Sequence, residues 1–74
     1  MPKLPFLKAK ELVKALSKMG FFESRQKGSH LILKHNDGRR TVVPIHGGKT
    51  IPRGTLRGIL RDIEVATKDL LKHL

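Results

Sequence analysis

The chain contains no cysteine. Disulfides and thiolate metal centres are thereby excluded. Tryptophan and tyrosine are absent too, and three phenylalanines are the only aromatic residues. No apolar run approaches the roughly 20 residues of a membrane-spanning helix. Lysines scattered through Met1–Leu16 leave no apolar stretch of a secretory signal, so a cytoplasmic address is expected. Acidic residues are scarce: six Asp and Glu stand against 16 Lys and Arg, a formal net charge of +10 at pH 7. In a chain of 74 residues that excess points to a polyanionic partner, an acidic protein partner, or both. This length suits one domain, residues 1–74, with a small core near the lower end of independent stability.

What is present centres on Arg25–His46. Leu31-Ile32-Leu33 and Thr41-Val42-Val43 are β-type runs, rich in apolar and β-branched residues. Asn36-Asp37-Gly38 lies between them, and Asp-Gly is a strong hairpin signal. A two-residue loop would set His30 opposite Ile45, Leu33 opposite Val42 and Leu31 opposite Pro44; a three-residue loop would set His30 opposite His46. In both registers Leu31 and Leu33 share one face, and His30, Ile32 and Lys34 share the other.

Helical periodicity flanks the hairpin. Leu12, Leu16 and Met19 recur at spacings of four and three, predicting a helix over 8–19 that Gly20 ends. Phe21–Gln26 is a strand candidate, anchored by Phe21 and Phe22. A second helix begins near Thr50–Pro52, with Thr50 as cap and Leu56, Ile59, Leu60 and Ile63 as its buried stripe. Val65–Leu74 reads as a short last helix, capped by Thr67, with Leu70, Leu71 and Leu74 packing back. The order α-β-β-β-α-α describes an α+β fold: a three-stranded antiparallel sheet with helices on one face.

His30 on the open, basic face is the residue with chemistry to offer. An imidazole, with a reference pKa of about 6.5, can exchange protons near neutrality. RNA presents a 2′-hydroxyl beside each phosphate, and an imidazole can activate it without a metal. Arg25, Lys27 and Lys34 are the cations expected to hold phosphate and stabilise developing charge, with Gly28 and Ser29 beside them; Lys27-Gly28 reads as the turn into a strand over 29–35. His46 is a possible second acid or base. His35 falls on the opposite face and reads as structural, and His73 as a partner for a helix C-terminus. His46-Gly47-Gly48-Lys49-Thr50 is a basic loop. It resembles the end of a phosphate-binding loop but lacks the first glycine and the preceding βαβ unit, which argues against a nucleotide site. Lys49 can still touch a nucleic-acid backbone. Arg53, Arg57 and Arg61 form one helical row, suited to phosphate, to an acidic partner, or simply to solvent. No histidine pair has zinc-ligand spacing, so neither metal nor small-molecule cofactor is expected.

These residues together resemble a known family, the HicA-type toxins, also called YcfA-like mRNA interferases. The resemblance rests on Gly20-Phe21 after the first helix, on Arg25-Gln26-Lys27-Gly28-Ser29-His30, on Val43-Pro44-Ile45-His46, and on Gly54-Thr55-Leu56-Arg57-Gly58-Ile59-Leu60, in that order. It implies a fold like that of double-stranded-RNA-binding domains and ribonuclease activity against mRNA. It also implies His30 as the catalytic histidine, and a HicB-type antitoxin covering the active face. The chain departs from the family pattern at Leu7, where a capping Ser or Thr is common, and at Glu64, where a Gly often separates the last helices. Three readings compete: a metal-independent endoribonuclease toxin, a non-catalytic double-stranded-RNA-binding module, and a basic protein whose role is to bind an acidic partner.

Overall fold

Leu12 and Leu16, one turn apart, are fully buried together with Ala9 and Ala15, and this stripe fixes helix α1 (Ala9–Lys18) against the rest of the chain. The computed structural model describes residues 3–74. Lys8 is the N-cap residue; its side chain has no acceptor, and it is the Glu11 carboxylate that accepts the Lys8 backbone N–H at 2.9 Å. The helix ends in a Schellman motif, with the Phe21 N–H on the Leu16 carbonyl and the Gly20 N–H on the Ser17 carbonyl. Gly20 has φ +97°, and a Cβ there would stand 2.7 Å from His35 Nε2, so glycine is required twice over.

Three strands follow: β1 (Phe22–Lys27), β2 (His30–Lys34) and β3 (Arg40–Pro44), antiparallel and in the order β1-β2-β3. Helices α2 (Arg53–Asp62) and α3 (Thr67–Leu71) complete the chain. The α+β order expected from the sequence is therefore the observed one, and it is compatible with a double-stranded-RNA-binding-domain arrangement. Leu31, Leu33, Thr41 and Val43 face the helical layer and are buried with Leu12, Leu16, Phe21, Leu56, Ile59 and Ile63. The one buried polar side chain among the described residues, Thr41, donates to Asp62 of α2 at 3.3 Å.

The hairpin register differs from both sequence expectations. His30 stands opposite Pro44, Ile32 opposite Val42, and Lys34 opposite Arg40; Leu31 and Leu33 face Val43 and Thr41. All of Asn36-Asp37-Gly38 is loop, closed by His35 N–H to the Arg39 carbonyl (2.9 Å) and Gly38 N–H to the His35 carbonyl (3.0 Å). Side chains hold it so. Asp37 accepts from the Arg39 backbone N–H (3.0 Å) and Nε (2.8 Å), while Arg39 Nη1 donates to the Ile63 carbonyl at the end of α2 (2.7 Å). His35 is structural, as expected: its Nε2 lies 3.2 Å from the Met19 carbonyl, its Nδ1 accepts the Asp37 N–H, and its ring meets Phe21 edge-on.

The Asp37 carboxyl is held below its usual range, chiefly by the Arg39 backbone N–H, with the Arg39 guanidinium adding to it. A carboxylate lowered on folding stabilises the native state above its unfolded pKa and loses that contribution as pH falls through the folded value. Wild type is therefore expected to lose more stability than Asp37→Asn between about pH 5 and pH 2. Denaturant titrations across that window check it, and parallel curves would contradict it.

Other expectations are corrected. Phe22 does not anchor the core: it is 47% exposed on the open face, and Phe21 alone is buried. Pro52, not Thr50, caps α2, because Thr50 is engaged in a bridge with Lys8, next to the Ile51 N–H on the Leu7 carbonyl. Ala66 caps α3, and Leu71 and Leu74 are exposed while Leu70 is buried. The separation of α2 from α3 occurs at Glu64, which adopts φ +55° so that the Val65 N–H reaches the Leu60 carbonyl. A left-handed non-glycine residue costs about 1–2 kcal/mol. After glycine's own entropy loss, Glu64→Gly is expected to stabilise by about 1 kcal/mol and to raise Tm by roughly 4–8 °C. Thermal unfolding followed by circular dichroism measures this, and an unchanged or lower Tm would refute it.

Candidate functional site

The sheet face turned away from the helices carries three cross-strand rows. Lys27, His30 and Pro44 form the first, Arg25, Ile32 and Val42 the second, and Phe22, Lys34 and Arg40 the third. Neighbours along such a row have Cβ atoms about 4.5–5.5 Å apart. A β-bulge between Glu23 and Arg25 creates this composition. Without the extra residue, Ser24 and Gln26 would occupy the places beside Ile32 and His30. The bulge instead turns Arg25 and Lys27 to the open face.

His30 is exposed at the start of β2, and Lys27 is its direct partner across the hairpin. The two residues between them, Gly28 and Ser29, make the tightest connection two strands allow. Gly28 takes φ +57° at the first position, as a type II′ turn requires, and its carbonyl accepts from the Gln26 side chain at 3.0 Å. The Ser29 carbonyl accepts the Ile45 N–H, which ties the turn to the chain leaving β3. His30 therefore sits on a strand end braced from both sides, with an imidazole open to solvent and a lysine beside it. Among the described residues its ring has no hydrogen-bond or ion-pair partner.

The structure thus places Arg25, Lys27, His30 and Lys34 on one sheet face, with Gly28 and Ser29 in the turn at its end. It does not set His46 opposite His30, because Pro44 occupies that place; His46 and Lys49 lie exposed in the loop after β3. Arg53 and Arg57 are exposed on α2, in the helical layer rather than on the sheet. His73 Nδ1 lies 2.8 Å from the Asp69 carbonyl in the last helix. Sequence reasoning missed Arg40, a further cation of the open face. Treating all of Asn36-Asp37-Gly38 as loop would have paired Arg40 with Lys34 and found it. In the register of a two-residue loop, Val43 and Ile45 would have stood on the open face beside Ile32 and His30. Val43 is buried and Ile45 half-buried; the apolar residues on the open face are Phe22, Ile32 and Val42. Among the described residues no three His, Asp or Glu side chains converge on a cation site.

The family model for the HicA toxin of bacterial toxin–antitoxin systems matches residues 9–65, from the first residue of α1 to the one after the Glu64 turn. The chain belongs to the HicA toxin family. The match contains the whole sheet, the Lys27–His30 turn and α2; the segment before α1 and α3 lie outside it. A comparison with curated proteins returns no match. A HicA toxin belongs to a toxin–antitoxin pair, so an antitoxin is the partner of this chain. No helix among the described residues is long and apolar enough to cross a membrane.

Proposed function

We propose that this HicA toxin is a metal-independent endoribonuclease that cuts mRNA and so blocks translation, with His30 as its general base and acid. The observation that carries the reading is the placement of His30: exposed, at a braced strand end, with Lys27 across from it on a cationic face. The His30 imidazole takes the proton of a ribose 2′-hydroxyl, and the 2′-oxygen attacks the adjacent phosphorus. Negative charge then gathers on the non-bridging oxygens, where Lys27 and Arg25 stabilise it. The 5′-oxygen leaves with a proton, returned by His30 or supplied by His46 from the neighbouring loop. The products carry a 2′,3′-cyclic phosphate and a 5′-hydroxyl. Lys34, Arg40 and Lys49 extend the phosphate grip.

The same face supports a HicB-type antitoxin as the partner. Phe22, Ile32 and Val42 form an apolar patch between cations, and such a patch marks a surface meant to be covered. An antitoxin seated there excludes RNA from His30. Incubation of purified protein with mRNA in excess chelator is expected to release fragments ending in cyclic phosphate. RNA that is bound in a salt-dependent way but stays intact would identify a non-catalytic double-stranded-RNA-binding module instead.

A further inference from the structure

The open face leaves the cations of the helical layer without a role. The segment before α1 and the first turns of α2 and α3 enclose a cleft of about 520 Å³. Its charged lining is Lys3, Arg53, Arg57 and Lys68, with no Asp or Glu among the lining residues. Arg53 and Arg57 stand one turn apart on α2 and project from one face. Like charges gathered around one concavity focus its potential and favour an anion there. Arg53 also lies over the ring of Phe6, 4.1 Å from its centroid. Phe6 is nevertheless 67% exposed, so the rest of its ring is open to solvent. A cationic cleft with an exposed aromatic at its rim offers a partner for phosphate and a surface for a base, the two requirements of single-stranded nucleic acid. An acidic peptide would use the cations and leave the aromatic idle.

We propose that this cleft is a second RNA-binding site, which takes backbone phosphate between Lys3, Arg53, Arg57 and Lys68 and stacks a base on Phe6. The loop between β3 and α2 joins the open face to the cleft along the chain. Pro44 pairs with His30, and Arg53 follows it by nine positions, a span of at most about 30 Å that includes Lys49. A strand held at His30 can continue along that loop into the cleft. Lys3, Phe6 and Lys68 lie outside the residues matched by the family model, so this site adds reach to the matched part of the chain. RNA as its ligand rests on the reading of the His30 face as an RNA-cutting surface; the cleft itself does not use His30.

The test measures binding of a labelled, unstructured RNA oligonucleotide by fluorescence anisotropy over a range of salt concentrations. All proteins carry His30→Ala, so that no strand is cut. Arg57→Ala with Lys68→Ala is expected to weaken binding about tenfold and to lower the salt slope by roughly 1.4, two phosphate contacts at about 0.7 each. Phe6→Ala is expected to weaken binding about tenfold at an unchanged slope, and Phe6→Trp to restore it. Arg57→Gln with Lys68→Gln repeats the first arm if the alanine pair folds poorly by circular dichroism. Unchanged affinity and slope, or no RNA binding by the parent protein, would overturn the proposal. Equal losses for a polyglutamate peptide of the same charge would reassign the cleft to an acidic partner. Protein with native His30 that binds RNA through the cleft but cuts none would overturn the nuclease reading alone. Protein that cuts RNA while the cleft variants bind normally would overturn the cleft alone.

Discussion

A His30→Ala variant is expected to fold normally and to lose the ability to arrest growth when expressed without its antitoxin. General acid–base catalysis contributes about 10²–10⁴-fold to rate, and removal of the imidazole should reduce RNA cleavage by that much. Folding should survive because His30 is exposed, and among the described residues nothing is bonded to its ring. RNA affinity should change little, since Arg25, Lys27, Lys34 and Arg40 remain. A loss of cleavage with binding retained would locate His30 in chemistry rather than in grip. Equal growth arrest by wild type and variant would remove His30 from the mechanism.

Leu33→Ala on the same strand is expected to do the opposite. Leu33 is on the inner face, 1% exposed, and packs with the fully buried Leu12, Leu16 and Leu56. Large-to-small substitutions at such sites cost about 2–5 kcal/mol. A chain of 74 residues has of order 4–11 kcal/mol of total stability. The substitution therefore removes a large fraction of it, and toxicity is lost through unfolding. Urea titration separates the two cases: the midpoint holds for His30→Ala and falls sharply for Leu33→Ala. A Leu33→Ala midpoint equal to wild type would mean that the helices do not cover this face as described.

Much of this arrangement was legible because its causes are local. The apolar spacing of Leu12 and Leu16, the stop at Gly20, the alternation of Leu31 and Leu33 against His30, and the stripe of Leu56, Ile59, Leu60 and Ile63 are all written in neighbouring residues. The strand alternation alone put His30 on the open face, whatever the loop length, since both weighed registers agreed on that point. Gly28 likewise marked a turn before the strand, but as Lys27-Gly28; the observed turn is Gly28-Ser29, one residue later, and that shift pairs Lys27 with His30.

Contacts between distant residues decided the rest. The hairpin register follows from Arg39, whose guanidinium holds the Asp37 loop on one side and the Ile63 carbonyl on the other, 24 positions away. No pattern within Arg25–His46 reports that contact. The register in turn buried Val43, exposed Val42 and added Arg40 to the cationic face. Phe22 lost its place in the core because β1 is an edge strand, exposed along its whole length. The bulge before Arg25 turned two cations toward His30, and a bulge leaves no composition of its own in a run such as Phe-Glu-Ser-Arg-Gln-Lys. By itself, then, the sequence determined the element order, the helix-facing stripes and the side of the sheet on which His30 stands, because periodicity and turn chemistry act over a few residues. Only the tertiary structure decided which residues surround His30 and that Arg53, Arg57 and Phe6 meet at a second cleft, because cross-strand register and side-chain convergence depend on groups far apart in the chain.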